Sequence, residues 1–273
     1  MTPASGGLEV VEVGEGEREV VFVHGVLDRG RSFERVAHVL AAECRMRWYD
    51  RRGYGSALDA TGVPLGVDGH AADLVEVLGN RPAVVVGHSF GGVSVLLAAL
   101  RAPELVRAVV LYETGMAWLP GWDDRVLSRL LGGEDPEGAG VRLMFGERYD
   151  QMDPDERRRR RREARAFVAE ERSVRTGTPP LDVADLERPL VFGHGGQPPF
   201  LSVADHLRTV VRDVEVMVIP GAGHNAHRTR PAAFADLVRN GIARADARVG
   251  GESGAPSRDP DAQAGGAGSS GKR

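Results

Sequence analysis

Ser89 is the residue with the clearest chemical signature, because it lies in the segment Gly87-His88-Ser89-Phe90-Gly91. Residues 84–86 are all valine, as in a buried strand, and residues 93–100 are mostly apolar, as in a helix. A strand, a Gly-x-Ser-x-Gly turn and a helix form a nucleophile elbow, which lifts a serine hydroxyl above a sheet and aims it at a carbonyl carbon. The alternative is a solvated serine in a glycine-rich loop.

A serine hydroxyl becomes a strong nucleophile only when a base removes its proton, so the elbow requires a histidine. His224 is the best candidate, since it follows the apolar run 214–219 in a short loop that contains two glycines. His227 is the nearest rival, but it lies closer to the next helix, which is predicted to begin near Pro231. Strand alternation predicts that His88 points away from Ser89 and has a packing role.

The acid that orients such a histidine is expected between the serine and the histidine along the chain. The loop after the apolar run 189–192 holds Gln197 but no carboxylate. Glu113 ends the strand that follows the elbow helix, so it should emerge beside Ser89, and we favour it as the acid. Asp205 is a minor alternative. If Glu113 is only a surface or hinge residue, catalysis would use a Ser-His dyad.

Six short apolar runs in the sequence predict the strands that must position these residues. Helical periodicity separates them, as in residues 32–43 and 68–78. Strands that alternate with helices predict an α/β fold with a mostly parallel central sheet flanked by helices. The predicted strands are residues 19–24, 46–49, 83–87, 106–112, 189–192 and 214–219.

Residues 116–186 interrupt this alternation and are predicted to form an inserted helical cap. The core is then residues 1–115 and 187–245. The arginine-rich run 157–162 has many acidic neighbours, which favours a solvated amphipathic helix over a nucleic-acid patch. Residues 246–273 are rich in Gly, Ser, Ala, Asp and Pro, so a disordered tail is predicted there.

Four motifs in this order resemble those of the α/β-hydrolase superfamily: the His24-Gly25 segment, residues 50–56, the Ser89 elbow and the Gly223-His224 loop. Together they cover residues 19–245. The resemblance implies an oxyanion hole made by the backbone N–H groups of Val26 and Phe90. We interpret the glycines and the arginine pair in residues 50–56 as structural, with the arginines bracing the sheet through salt bridges. A serine nucleophile argues against the similar dehalogenases and epoxide hydrolases, which use aspartate. If Glu113 is the acid, its position, after the strand that follows the elbow helix, resembles that of the acid in a branch of the superfamily that includes some dehalogenases and a lactonase.

Composition supports a globular domain of this kind. The chain has 273 residues, 42% hydrophobic and 27% charged, with a formal net charge of -4, so nucleic acid is not an expected partner. Cys44 is the only cysteine, and no secretory signal or membrane span is evident, which predicts a cytoplasmic protein without disulfides. No cofactor or metal is implied, and a monomer or homodimer is expected.

The predicted function is hydrolysis of an ester, lactone or thioester of a small to medium hydrophobic substrate through Ser89, His224 and Glu113. Carbon–carbon bond hydrolysis, cofactor-free perhydrolysis, a cyclase or lyase activity in secondary metabolism, and ligand binding without catalysis remain open on the same fold. A group of mainly apolar residues is expected to line the substrate site. These residues are His24, Met116, Trp118, Trp122 and Met144.

Overall fold

The computed structural model describes residues 7–60, 66–119, 122, 124–175 and 181–253. Within them, seven strands form one sheet in the order β1-β3-β2-β4-β5-β6-β7. All neighbouring strands are parallel except β1 and β3, which are antiparallel. The strands are β1 (Val10–Val13), β2 (Arg18–Val23), β3 (Cys44–Tyr49), β4 (Ala83–His88), β5 (Val106–Tyr112), β6 (Leu190–His194) and β7 (Val214–Val218).

This architecture confirms the predicted α/β fold, and each of the six predicted strands is present to within two residues at either end. The exception is β1, which sequence analysis does not predict. It is four residues long and lies at the edge of the sheet, where only β3 pairs with it. All four of its residues are at least partly exposed and one of them, Glu12, is charged, so it lacks the continuous buried apolar run that marks the central strands.

Helices cover both faces of the sheet, and strand residues alternate between two cores. In β4, Val84 and Val86 face one core with α1 and α10, whereas Val85 faces the other with α2, α3 and α8. The helices are α1 (Glu34–Leu40), α2 (Val67–Leu78), α3 (Phe90–Arg101), α4 (Arg125–Leu131), α5 (Pro136–Phe145), α6 (Arg148–Gln151), α7 (Pro154–Ser173), α8 (Phe200–Val210), α9 (Ala226–Thr229) and α10 (Pro231–Ser253).

Helices α4 to α7 come between β5 and β6, in the segment where a cap is expected. Helix α7 is the longest of them and begins at Asp153, whose side chain accepts hydrogen bonds from two backbone N–H groups of its first turn. Arginines of the basic run form ion pairs with nearby acids, such as Arg160 with Glu156 and Arg161 with Asp135. These pairs give the run the mixed-charge environment of a solvated helix face.

The end of the chain corrects the predicted start of the tail. Helix α10 continues to Ser253, so residues 246–253 are helical, and residues 254–273 lie outside the described part of the chain. Ala245 is buried, and Asp246 accepts a hydrogen bond of 3.0 Å from Arg18, which ties this turn to β2. Sequence analysis could not weigh these tertiary contacts against a polar composition. No helix among the described residues is long and apolar enough to cross a membrane.

The α10 face of the sheet offers a stability test. Phe234 is fully buried, with its ring centroid 5.4 Å from that of Tyr112. Phe234→Ala should lower the free energy of unfolding by about 3–5 kcal/mol, because it removes a large apolar side chain and leaves a cavity. Val126→Ala, at a residue that is 65% exposed, should change it by less than about 0.5 kcal/mol. Urea denaturation measures both, and equal effects would contradict this packing.

Candidate active site

The elbow places Ser89 between β4 and α3 with a strained backbone, at φ 53° and ψ -130°. The Ser89 N–H donates to the carbonyl of Tyr112 at 3.0 Å, which anchors the turn to β5. A Cβ atom at Gly87 would lie 2.4 Å from the Cα of Gly92, and one at Gly91 would lie 2.4 Å from the carbonyl oxygen of His24. Only glycine fits at these two positions, as the sequence pattern requires.

His224 and Glu113 form a direct contact, with 2.8 Å between His224 Nδ1 and Glu113 Oε2. A carboxylate oxygen accepts, so Nδ1 carries the proton and Nε2 has a free lone pair in the neutral imidazole. Glu113 is almost fully buried, whereas the His224 side chain is 37% exposed. Ser89, Glu113 and His224 all line one cavity, so the structure brings the three predicted residues to the same place.

Pairing between β4 and β5 explains the position of Glu113. His88 and Tyr112 are direct partners in the parallel ladder, so Ser89 and Glu113 are the next residues beyond two neighbouring strand ends. Glu113 has a positive φ of 45°, and its N–H donates to the carbonyl of Gly193 at 2.9 Å. The loop after β6, which holds no carboxylate, instead supplies an N–H group: that of Gly195 donates to Glu113 Oε1 at 3.0 Å.

Two hydrogen bonds hold the loop that carries His224. His88 Nε2 donates to the carbonyl of His224 at 2.8 Å, and the hydroxyl of Tyr112 donates to the carbonyl of Gly223 at 3.1 Å. Burial, followed by the nearby His227 and His224, holds the pKa of His88 well below its usual value, so its ring is neutral. His88 therefore positions the loop that carries His224, whereas sequence analysis predicted only a packing role for it.

The rivals for the base and the acid lie elsewhere. His227 is fully buried and is not among the described residues that line the cavity; its Nε2 lies 3.4 Å from Asp28 Oδ2. Asp205 pairs with Arg208 on the exposed side of α8, at 2.9 Å.

Asp28, His88 and His227 are the described residues best placed to hold a metal ion, with potential ligand atoms within 4.8 Å of one another. Two imidazoles and a carboxylate are suitable ligand types for a transition metal. However, Arg228 already pairs with the buried carboxylate of Asp28. A divalent cation would place a second positive charge next to that guanidinium, which opposes metal binding at these three residues.

The two residues expected to form an oxyanion hole lie beside the cavity that contains Ser89. Val26 and Phe90 line the same cavity, and their N–H groups donate to no other described residue. Phe90 is the first residue of α3, where the N–H groups of a helix have no internal acceptor and favour negative charge. The arrangement leaves two backbone donors available to an oxygen that gains charge near Ser89.

Arg51 fixes the loop that carries Val26. Its Nε donates to the carbonyl of His24 at 2.9 Å, and its Nη2 donates to the carbonyl of Gly25 at 3.0 Å. His24 Nε2 accepts from the Arg51 N–H at 2.9 Å, while His24 Nδ1 donates to the Gly25 carbonyl at 2.8 Å. The imidazole is thus fully buried and occupied on both sides, so the prediction that His24 lines the substrate site is wrong.

Glu170 of α7 is the carboxylate partner of Arg51, at 2.6 Å, and both side chains are fully buried. Glu170 also contacts the hydroxyl of Tyr54 and Nε2 of His70, each at 2.7 Å. Burial opposes its ionisation, but Arg51 and His70 outweigh this effect and lower the pKa of Glu170. Its ionised form therefore stabilises the fold at neutral pH, and that contribution is lost as the pH falls.

The cavity has a volume of about 220 Å³ and a largely apolar wall. Of the predicted substrate residues, Trp122 and Met144 line it. Met116 and Trp118 do not belong to the described lining: Met116 is fully buried in the core, and Trp118 packs against that core. Sequence analysis also missed several lining residues, since separate cap segments and α8 supply them. These are Leu127, Leu143, Phe167, Glu171, Val174, Arg175 and Phe200.

Comparison with known proteins agrees with this arrangement. The model of the α/β-hydrolase family matches residues 20–237. Because the match spans most of the sequence, the chain belongs to the α/β-hydrolase family. It is a hydrolase of this family whose relatives include lipases and esterases.

Particular relatives share different parts of the chain. Lipase LipV of Mycobacterium tuberculosis is 36% identical over 105 residues, which are 37% of this chain and 39% of the lipase. The 2-(acetamidomethylene)succinate hydrolase of Mesorhizobium japonicum is 25% identical over 262 residues, covering 86% of this chain and 91% of that enzyme. The structure of a thermophilic esterase from Thermogutta terrifontis has a TM-score of 0.66 at 19% identity, covering 89% of this chain and 97% of the esterase, which shows a shared fold.

The buried ion pair can be tested by removing one or both partners. Arg51→Met should lower the free energy of unfolding by about 3–5 kcal/mol, because Glu170 keeps a buried charge without its main partner. Arg51→Met combined with Glu170→Leu should recover part of that loss, since the uncompensated charge is gone.

Chemical denaturation at neutral pH measures these changes. Arg81→Met is the matched control, because Arg81 pairs with Glu12 on the surface at 2.7 Å and its loss should cost less than about 1 kcal/mol. If Arg51→Met and Arg81→Met lowered the free energy of unfolding equally, the buried pair would contribute no more to stability than the surface pair.

Proposed function

We propose that this protein is a serine hydrolase that cleaves an ester, lactone or thioester of a small to medium hydrophobic substrate. The observation that carries the proposal is the 2.8 Å contact between His224 and Glu113 beside a cavity that Ser89 also lines. A histidine held in one tautomer by a buried carboxylate, with its other nitrogen free, is the arrangement that a serine nucleophile requires.

In the first half of the reaction, His224 Nε2 takes the proton of Ser89, and Oγ attacks the carbonyl carbon of the substrate. The resulting imidazolium carries its positive charge beside Glu113, which stabilises it. The oxygen of the tetrahedral intermediate accepts hydrogen bonds from the N–H groups of Val26 and Phe90. Each such donor typically contributes about 3–4 kcal/mol to transition-state stabilisation.

In the second half, His224 gives its proton to the leaving alcohol or thiol, and an acyl group remains on Ser89. A water molecule then loses a proton to His224 and attacks the carbonyl carbon of the acyl-enzyme. The bond to Ser89 Oγ breaks, the acid is released, and His224 returns the proton to Oγ. Because Glu113 Oε1 also accepts from Gly195, the carboxylate keeps its orientation through both halves. The residues of the chain itself supply every proton transfer in this sequence.

The wall of the cavity supports an apolar substrate. Trp122, Phe167 and Phe200 line it, and the Phe200 ring stacks on His224 with an interplanar angle of 11°. Apolar side chains around a few polar groups are typical of small-molecule sites, where the apolar wall binds and the polar groups orient. The lipase and esterase relatives agree with an ester substrate. We place the protein in the cytoplasm, in keeping with Cys44, its one cysteine, which is a buried free thiol.

Ser89→Ala tests the nucleophile. The variant should hydrolyse p-nitrophenyl esters of short acids at least about 10⁴-fold more slowly than the wild type, because no other hydroxyl or thiol is found among the described residues that line the cavity. It should also lose covalent labelling by a fluorophosphonate, read by intact-protein mass spectrometry. Ser202→Ala, on the exposed start of α8, is the control and should keep both properties. Undiminished hydrolysis by Ser89→Ala would refute the proposal.

Glu113→Gln tests the acid. An amide can keep the hydrogen bond from Gly195 but cannot stabilise the imidazolium, so kcat should fall by about 10²–10⁴-fold with little change in melting temperature. The matched control is Asp205→Asn, which changes an exposed carboxylate that pairs with Arg208 on α8. If Asp205→Asn reduced kcat and Glu113→Gln did not, the acid would have to be assigned anew.

A further inference from the structure

One ion pair interrupts the apolar wall of the cavity on the side formed by the cap. Glu171 lies near the end of α7 and Arg175 just beyond it, and both line the cavity that contains Ser89. Their side chains are only 12% and 10% exposed. A charged pair at this depth differs from the arginine pairs on the outer face of α7, where side chains such as Arg158 are 69% exposed.

Neighbouring groups hold the Arg175 guanidinium in a single orientation. Its Nε donates to Asp124 Oδ1 at 2.6 Å, and its Nη1 donates to the Glu171 carbonyl at 2.9 Å and also pairs with the Glu171 carboxylate. The guanidinium is planar and rigid, so fixing two nitrogens also fixes the third. Among the described residues, Nη2 has no hydrogen-bond partner, which leaves donors free on a group that lines the cavity.

A polar pair at this position is not explained by stability. Taking two charges out of water costs much of what their attraction returns, and well-packed apolar residues often stabilise a fold equally well. The surrounding cavity wall is formed by such residues, including Leu127, Phe167 and Val174. Burial raises the pKa of Glu171 even though Arg175 acts to lower it, in line with this desolvation. A polar group in the ligand would account for the pair.

The local charge decides which polar group fits best. One guanidinium is shared by two carboxylates, those of Asp124 and Glu171, so the cluster has no net positive charge to attract an anion. A carboxylate on the ligand would be repelled by both acids, whereas a neutral oxygen could accept from Nη2 without that penalty. The preferred group is therefore a neutral carbonyl or hydroxyl.

We propose that Arg175 is a specificity residue that binds a neutral oxygen, a ketone, amide or hydroxyl, on the part of the substrate remote from the bond cleaved at Ser89. The natural substrate is then an oxygenated ester, lactone or thioester rather than a simple fatty ester. Asp124 and Glu171 position the guanidinium. This inference rests on the proposed serine hydrolase function, which supplies the reacting end of the same cavity.

The test compares p-nitrophenyl esters of equal acyl length. One has an unbranched alkyl chain, a series has a single ketone moved along the chain, and one ends in a carboxylate. The best keto ester should exceed the alkyl ester in kcat/KM by about tenfold or more, since a hydrogen bond from a charged donor typically strengthens binding by at least that factor. The carboxylate ester should be the poorest substrate.

Arg175→Met should bring the ratio of kcat/KM for the keto and alkyl esters close to one. Arg165→Met is the matched control, since Arg165 lies on the exposed face of α7, the helix that precedes Arg175, and should leave the ratio intact. Arg175→Lys keeps a charge without the fixed fork and should give an intermediate ratio, which provides a second measurement if Arg175→Met folds poorly.

An unchanged ratio in both Arg175 variants would overturn the inference while leaving the proposed function intact, provided that alkyl ester hydrolysis still requires Ser89. A preference of the wild type for the carboxylate ester would overturn the assignment of a neutral group. If no ester in the set is hydrolysed in a Ser89-dependent manner, the proposed function fails, and the inference fails with it.

Discussion

The buried ion pair between Arg51 and Glu170 joins three parts of the molecule that are far apart in sequence. Arg51 follows β3, Glu170 belongs to the cap helix α7, and the guanidinium also binds the carbonyls of His24 and Gly25. Because these charges have no access to water, they are stable only when all the partners are in place together. The cap and the loop that presents the Val26 N–H are thus held by the same side chain.

Two kinds of element form the cavity near that pair: turns at the edge of the sheet, which carry polar groups, and helices of the inserted segment, which are mainly apolar. The sheet edge contributes the reacting groups on short, strained turns, with Ser89 and Glu113 both at positive φ. The segment between β5 and β6 contributes most of the apolar wall and the ion pair between Glu171 and Arg175. The proposed roles therefore divide between the core, which would react, and the inserted segment, which would select, as expected when one scaffold serves many substrates.

Sequence patterns were sufficient to predict that Ser89, His224 and Glu113 lie at one cavity, because each follows a strand and parallel strand ends converge at one edge. They were insufficient for His24, whose side chain is occupied by Arg51 through a contact that no local pattern reveals. Arg175 could not be found either, because it follows a helix rich in arginines and only tertiary placement separates it from them. The edge strand β1 was missed since one neighbour and partial exposure leave no strong apolar signal.

The ladder between β4 and β5 has a mechanical consequence. Ser89 and Glu113, the proposed nucleophile and acid, directly follow His88 and Tyr112, which are paired residues of neighbouring strands. The separation between the serine hydroxyl and the carboxylate is therefore set by the pairing of β4 with β5 and not by the outer loops. The turn after β6 does not have to supply an acid in this arrangement. It can therefore tolerate changes of length and composition as long as one backbone N–H group, that of Gly195 here, still donates to Glu113.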